Sequence, residues 1–187
     1  MKFKIIKFKS VQSTNNEAIK LINKNKNNPT LILTENQTRG RGTRGKKWIS
    51  KKGNLFFSIY FEFNETRINF KQFAVLNALI LRKILTKYVS KKINIKWPND
   101  LLIEKKKVCG ILQEVVKYNH KNFLIIGTGI NTNYSPKIIN LKTSCLKDFS
   151  KKKLDNKEII MDIKKTYEKF IEDMYKNKFS FLKKNLK

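Results

Sequence analysis

The spacing of apolar residues in the first third of the chain predicts a strand, a helix and a second strand. A short strand is predicted at the N-terminus, and residues 30–34 (TLILT) form a second β-rich run. Between them, residues 13–17 offer polar side chains that cap a helix, and Ala18, Ile19, Leu21 and Ile22 follow as its apolar face. Residues 37–52 are rich in glycine and cations without periodicity, which predicts a loop.

The rest of the chain continues with strand-like and helical patterns. Residues 55–63 alternate as a strand does, and a helical face follows, made by Phe70, Phe73, Asn77, Ile80, Leu81, Ile84 and Tyr88. Four further strands are predicted, at residues 93–96, 101–103, 108–116 and 123–130. Apolar residues at helical spacing from Ile159 to Met174 predict a final helix that covers the sheet.

These elements predict a fold of the α+β class. Because most strands fall in one central run, we expect a central mixed, largely antiparallel sheet flanked by helices. No repeat or linker interrupts the pattern, so residues 1–187 are expected to form a single domain.

The composition is strongly basic, with 42 Lys and Arg against 14 Asp and Glu and a formal net charge of +28. Such a charge is typical of proteins that bind nucleic acid or an anionic membrane. Here the lysines are scattered along the chain, which favours a solvated surface. No apolar run reaches transmembrane length, and the N-terminal apolar residues are interrupted by lysine, unlike those of a signal peptide.

The metal-binding and nucleophilic residue types are sparse. Cys109 and Cys145 lie far apart and form no ligand pattern, which indicates reduced thiols and a cytoplasmic protein. His120 stands alone in a polar turn, so neither a zinc site nor a Ser/His pair is expected.

The loop at residues 37–48 (QTRGRGTRGKKW) carries the first candidate chemistry. Its three glycines let backbone N–H groups approach an anion, while Arg and Lys supply charged hydrogen bonds to phosphate or carboxylate. The order of a Walker A loop is missing. Taken alone, the stretch suits an acyl phosphate and an RNA-binding segment about equally.

The second candidate element is Lys96-Trp97-Pro98-Asn99-Asp100, followed by Lys107 and Gly110. Pro98 would fix the chain between two strands, so that Asn99 and Asp100 project from a rigid turn. Lys107 is expected to close a turn over residues 104–107, where its neighbours make an ordinary solvated hairpin the alternative.

Together these elements resemble the catalytic domain of biotin protein ligases, of the biotin/lipoate ligase superfamily with its class II synthetase-like fold. The family pattern is Ser-Thr-Asn, then Gly-Arg-Gly-Arg-x-Gly-Arg-x-Trp, then Lys-Trp-Pro-Asn-Asp, then Lys-x-x-Gly-Ile. The matching stretches are residues 13–15, 40–48, 96–100, 107–111 and 127–131. The resemblance therefore covers essentially the whole chain.

The resemblance implies a role for each matching residue. The biotin-binding residues would be Ser13, Thr14, Asn15, Gln37, Gly40, Arg41, Gly42, Thr43, Lys107 and Gly110. The nucleotide-binding residues would be Arg41, Arg44, Lys46, Trp48, Asn99, Asp100 and Asn131. Arg41, Lys107 and Asp100 would be catalytic, with Mg²⁺ held through the phosphates of ATP and not by a protein metal site.

The activity that the resemblance implies has two steps. Biotin and ATP would form biotinyl-5′-AMP, and the biotinyl group would pass to one lysine of the biotin carboxyl carrier protein of a carboxylase such as acetyl-CoA carboxylase. Arg41, Lys107 and Mg²⁺ would neutralise the two anions that meet in the first step. We expect no sequence-specific DNA binding and no membrane partner, and a homodimer is left open.

Several departures and alternatives accompany the resemblance. Thr43 stands where the family has its second Arg, and Lys46 replaces the next Arg, which keeps the charge but loses the planar fork. We expect neither a helix–turn–helix domain before Ser13 nor the small β-barrel typical of the family's C-terminus. The alternatives are a lipoate or octanoate protein ligase of the same fold, and a basic nucleic-acid-binding module.

Overall fold

The fold is built around one seven-stranded sheet. The structure, a computed structural model, describes residues 1–64 and 68–186. In chain order the strands are β1 (Lys4–Val11), β2 (Thr30–Gln37), β3 (Leu55–Glu62), β4 (Ile93–Lys96), β5 (Asp100–Ile103), β6 (Lys106–Tyr118) and β7 (Lys121–Ile130). Their order across the sheet is β1-β2-β3-β7-β6-β5-β4. Among these seven described strands only β1 and β2 pair in parallel, so the predicted mixed, largely antiparallel sheet is confirmed.

Helices cover both faces of the sheet. They are α1 (Thr14–Asn23), α2 (Phe70–Leu85), α3 (Asn156–Met174) and α4 (Phe179–Leu186). Helix α1 connects the parallel strands β1 and β2 and buries Ala18 and Ile22 against Tyr60, Phe123 and Ile125. The other three helices contribute to the larger core on the opposite face.

Helix α2 is the main support of the larger core. Asn69 accepts a hydrogen bond from the Gln72 N–H, and the Gln72 side chain accepts one from the Asn69 N–H, which closes a capping box at its first turn. Its apolar face, including Phe73 and Leu76, is fully buried. The periodic apolar face explains why the sequence pattern located this helix, and the capping box fixes where it begins.

The structure corrects three local expectations. Strand β3 does not alternate between exposed and buried residues, because Leu55 to Phe61 are all buried between helices on the two faces. Lys107 lies inside β6, and the turn before it consists of Glu104 and Lys105, both with positive φ. Ser13 occupies the N-cap position of α1, but its side chain makes no capping hydrogen bond.

Helix α1 covers only part of its face of the sheet. The rest of that face, formed by the first part of β6 and the end of β7, lies under the loop that joins β2 to β3. This loop, residues 38–54, contains the glycine- and cation-rich sequence and is called the glycine loop below. Within the described residues, 1–64 and 68–186, no helix has the length and apolar character needed to cross a membrane.

Candidate active site

The glycine loop and the sheet enclose a cavity of about 720 Å³, a size within the range of small-molecule sites. Its floor consists of glycines on neighbouring strands, since Gly110 of β6 pairs with Gly129 of β7 and Gly127 lies two residues away on the same face. A Cβ at Gly110 would come 2.7 Å from Cζ3 of Trp48, and one at Gly127 would come 2.7 Å from Cγ of Asn15. The floor therefore has to be free of side chains for Trp48 and Asn15 to pack on it.

The glycine loop folds back on itself over this floor. The Trp48 N–H donates to the Gly40 carbonyl (2.9 Å), and the Gly42 N–H donates to the Lys46 carbonyl (2.7 Å). Between them the chain makes one 3₁₀ turn at Thr43–Gly45, in which Arg44 has a φ of 55°. The loop thus forms a short hairpin that places Trp48 against the sheet.

The inner end of the cavity is polar and buried. Gln37 Oε1 accepts hydrogen bonds from the backbone N–H and the hydroxyl of Thr14 (2.9 and 3.2 Å), so Gln37 caps α1 in place of Ser13. Ser58, fully buried on β3, donates to Thr14 Oγ1 at 2.7 Å or to Asn15 Oδ1 at 2.5 Å. A ligand that enters this end meets hydroxyl and amide groups already fixed in place by one another.

Lys107 is fixed at the centre of the cavity by its side chain and its backbone. Its Nζ lies 2.7 Å from Asp100 Oδ1 and 5.4 Å from the ring centroid of Trp48. Its N–H donates to the Lys142 carbonyl (2.8 Å), and its own carbonyl accepts from the Ser144 N–H (3.1 Å). The segment after β7 thus runs beside β6 and holds the lysine in register.

Arg41 is the second cation held at the cavity. Its guanidinium is ion-paired with Glu114 of β6 and donates to Asn16 Oδ1 of α1 (2.8 Å). Two of its five N–H donors are used in this way, so others remain for a ligand. Arg41 therefore ties the glycine loop to α1 and β6 while it lines the cavity.

The outer end of the cavity presents buried polar atoms that lack partners. Within residues 1–64 and 68–186, these include Trp48 Nε1 and Asn131 Oδ1, both on residues that line the cavity. The Nδ2 of Asn131 donates to the Ser144 carbonyl (3.1 Å), which aims the Oδ1 away from that bond. Asn99, in the turn between β4 and β5, donates its Nδ2 to the Ile111 carbonyl (3.1 Å). Unpartnered buried polar atoms are costly unless a ligand satisfies them.

Most of the predicted site residues converge on this cavity. Those that line it are Ser13, Thr14, Asn15, Gln37, Arg41, Gly42, Thr43, Lys46, Trp48, Asn99, Lys107, Gly110 and Asn131. Three do not line it. Gly40 packs under the Trp48 carbonyl, Arg44 is exposed in the 3₁₀ turn, and Asp100 forms an ion pair with Lys107 without lining the cavity itself.

The structure adds residues that the sequence pattern did not indicate. Lys47, Ile49, Lys96 and Leu112 also line the cavity, as does the segment at residues 136–143. Glu114, Asn16 and Ser58 contact its lining residues. Lys96 belongs to the quoted Lys-Trp-Pro-Asn-Asp element and Lys47 to the quoted loop at residues 37–48, so both could have been found there, whereas the others have no local signal in the sequence.

The electrostatic character of the cavity is cationic. The basic residues that line it are Arg41, Lys46, Lys47, Lys96 and Lys107, and its described lining includes no Asp or Glu. The described part of the chain contains no group of three or more His, Cys, Asp or Glu that could hold a metal ion. Burial raises the pKa of the neighbouring Cys109 thiol, which keeps it protonated. The cavity is thus built for an anionic ligand.

Comparisons with known proteins agree with this geometry. Residues 7–131 match the biotin/lipoate A/B protein ligase family. The bifunctional ligase/repressor BirA of Bacillus subtilis is 31% identical over 180 residues, which are 92% of this chain and 55% of that protein. The biotin–[acetyl-CoA-carboxylase] ligase of Paracoccus denitrificans is 34% identical over 104 residues, or 54% of this chain and 43% of that protein.

A solved structure extends the likeness to three dimensions. The biotin protein ligase from Aquifex aeolicus in complex with biotin and ATP superposes with a TM-score of 0.81 at 29% identity, covering 98% of this chain and 76% of that one. The chain spans about half the length of the curated relatives it matches. On the sequence match over residues 7–131 and the shared fold, the chain belongs to the biotin/lipoate A/B protein ligase family.

Proposed function

We propose that this chain is the catalytic part of an ATP-dependent biotin protein ligase. The observation that carries the proposal is the buried polar inner end of the cavity, where Thr14, Asn15, Gln37 and Ser58 form one hydrogen-bonded group. Biotin ends in a ureido ring with two N–H donors and a carbonyl acceptor, which can join such a group. Lipoate and octanoate end in apolar atoms and would leave these groups buried without a ligand partner.

The cations and the free polar atoms at the other end support ATP as the second substrate. Arg41 and Lys107 lie between the polar inner end and the Trp48 indole, where the carboxylate of biotin and the α-phosphate of ATP would meet. Trp48 Nε1 and Asn131 Oδ1 provide a donor and an acceptor for a nucleotide base. The closed glycine loop, with Arg41 bound to Glu114, favours a ligand inside the cavity over nucleic acid on the surface.

The proposed first step joins two anions. The carboxylate oxygen of biotin attacks the α-phosphorus of ATP, an oxygen–phosphorus bond forms, and pyrophosphate leaves with the electron pair of the broken bond. Arg41 and Lys107 stabilise the negative charge that builds up in this transition state. Mg²⁺ bound to the phosphates of ATP would supply further charge neutralisation.

The proposed second step forms an amide. The neutral amine of an acceptor lysine attacks the carbonyl carbon of biotinyl-AMP, the carbon–oxygen bond to phosphate breaks, and AMP leaves while the amine loses a proton. Lys107 polarises the carbonyl oxygen, and Asp100 keeps Lys107 in position through their ion pair. The acceptor we propose is the biotin carboxyl carrier protein of a carboxylase.

We also propose a cytoplasmic location for the protein. Both cysteines, Cys109 and Cys145, are free and buried, which suits a reducing compartment.

One experiment tests the proposal directly. The protein is mixed with ATP, Mg²⁺, biotin and a biotin carboxyl carrier domain, and the mass of the carrier is measured. We expect one biotinyl group on the acceptor lysine and none on a carrier with that lysine changed to arginine. Parallel reactions replace biotin with lipoate or octanoate. Pyrophosphate release with either of those acids and not with biotin would overturn the proposal.

A further inference from the structure

The Glu114 carboxylate contacts both the glycine loop and α1 at the polar inner end of the cavity. One of its oxygens is ion-paired with Arg41 of the glycine loop, and the other accepts a hydrogen bond from Asn15 Nδ2 of α1 at 2.7 Å. Its side chain is 23% exposed, which weakens solvent screening compared with a surface pair. Glu114 itself does not line the cavity, so it acts on a ligand only through these partners.

The bond to Glu114 determines which end of the Asn15 amide faces the ligand. Nδ2 of Asn15 donates to Glu114 and to the Leu112 carbonyl (3.3 Å). The opposite atom, Oδ1, accepts from Ser58 and lies over Gly127 on the cavity floor. Asn15 therefore presents an acceptor to the cavity, which matches an N–H donor of a ureido ring.

The same carboxylate fixes the plane of the Arg41 guanidinium. Arg41 donates to Asn16 on one side and to Glu114 on the other, so two of its nitrogens are held at once. A planar group held at two points has little rotational freedom left. Its remaining N–H groups are then aimed before a substrate arrives, which lowers the entropy cost of reaching the transition state.

We propose that Glu114 is a positioning residue that orients Asn15 for the ureido ring of biotin and Arg41 for the reacting carboxylate and phosphate. This inference rests on the proposed biotin ligase function and adds a residue to it. Gln at position 114 would offer one acceptor where Glu offers two, and its amide would face a donor on Asn15 or Arg41. One of the two contacts is then lost, so that either Asn15 is held only by Leu112 and Ser58 or Arg41 is held only by Asn16.

The test measures the KM for biotin and the kcat of pyrophosphate release in Glu114→Gln. We expect the KM to rise and the kcat to fall, each by about tenfold, the loss of one hydrogen bond to a charged group. If Glu114 acts through its partners, the kcat effect disappears in an Arg41→Ala background and the KM effect disappears in an Asn15→Ala background. A residue that only stabilised the fold would not produce these two separate cancellations.

Two further variants keep the test decisive. Glu114→Asp retains the charge, so folding should be unaffected, but its shorter side chain cannot bridge Asn15 and Arg41, and we expect the same direction of change. Glu62→Gln is the matched control, because Glu62 pairs with Lys121 (2.8 Å) at the other end of the sheet with both side chains about half exposed. Its kinetic constants should equal those of the wild type.

The outcomes separate this inference from the function on which it rests. Wild-type kinetics in both Glu114 variants, or effects that add in full to those of Arg41→Ala and Asn15→Ala, would overturn the positioning role and leave the ligase function standing. Wild-type protein that neither binds biotin nor releases pyrophosphate in its presence would overturn both.

Discussion

The indole of Trp48 packs against the backbone of Gly129 so closely that a Cβ at position 129 would lie 2.5 Å from the indole Nε1. The glycine loop and β7 are thus in contact at a point where the cavity floor lacks side chains. Lys107 lies beside the same ring, with its Nζ 5.4 Å from the ring centre. The position of the indole, and with it the cation–π contact to Lys107, therefore depends on this close approach.

The first prediction follows from that contact. Gly129→Ala should displace the indole and weaken ATP binding by about tenfold or more, since a lost cation–π contact and a lost stacking surface each contribute about 1 kcal/mol. Biotin binding at the inner end should change far less. Calorimetric titration with each ligand measures both. In a Trp48→Ala background the methyl group added at position 129 has no indole to displace, so Gly129→Ala should cause little further loss of ATP affinity there. An equally large loss in that background would contradict the explanation.

The second prediction concerns the two cations of the cavity. Arg41→Ala or Lys107→Ala should reduce adenylate formation by about 10²–10³, the usual effect of removing one group that stabilises charge in a transition state. Both side chains face the cavity and not the core, so circular dichroism spectra should stay unchanged. Pyrophosphate release is the measurement, and near-normal rates in either folded variant would show that the cation is not used.

The third prediction concerns the mobility of the glycine loop. Trp48 is its main apolar anchor, and the other residues between 38 and 52 are largely polar, cationic or glycine. We expect this segment to open in the free protein and to be held closed by biotinyl-AMP. Limited proteolysis should then cut between residues 38 and 52 more slowly at saturating adenylate. Equal cleavage with and without ligand would exclude a lid.

The fourth prediction concerns Thr43, which lines the cavity where family members carry Arg. Thr43→Arg should slow the release of biotinyl-AMP by about tenfold, because a charged hydrogen bond contributes about 1.5–3 kcal/mol and a neutral one about 1. Stopped-flow dissociation measures the rate. An unchanged or faster rate would mean that another cation of the loop already makes this contact, with Arg39 and Arg44 the nearest candidates in the sequence.

The fifth prediction is a pH dependence of stability. The hydrogen bond from Ser144 lowers the pKa of Asp148 below its ordinary value, against a smaller opposing effect of burial. A carboxyl group with a lowered folded-state pKa stabilises the fold above its unfolded pKa, and this contribution is lost as the pH falls through the folded value. Asp148→Asn should therefore lower the Tm at neutral pH, and the difference from wild type should shrink between about pH 5 and pH 2. A constant difference in Tm would contradict this assignment.

The strands and long helices were predictable because each has its own local signal. All seven strands and helices α1, α2 and α3 lie where the sequence pattern predicted an element, although β3 is buried on both faces and does not alternate. Helix α4 was missed, since two turns between Phe179 and Leu186 give too short a pattern. Lys107 was assigned to a turn because four charged residues stand together, whereas the actual turn depends on positive φ at Glu104 and Lys105, which no glycine marks.

The candidate site was predictable as far as its motifs reach. Lys107 and Gly110 were identified through the Lys-x-x-Gly-Ile element, which is present at residues 107–111. The residues that they contact in the structure could not be identified in this way. Glu114 lies 73 residues from Arg41 and 99 from Asn15, and its own strand gives no reason to single it out. Asp100 was expected to face the ligand, and its ion pair with Lys107 became visible only when β5 was placed beside β6.

The same long separations have a consequence for how the molecule folds. The contacts of Glu114 with Arg41 and Asn15 join positions that are 73 and 99 residues apart in sequence. Closing such long loops costs chain entropy before the contacts stabilise the fold. Strand β6 must therefore pair with β7, and α1 must dock on the sheet, before Glu114 can contact Asn15 or Arg41. Ligand-binding competence should accordingly appear in the last kinetic phase of refolding, after the bulk of the β-sheet signal has been recovered.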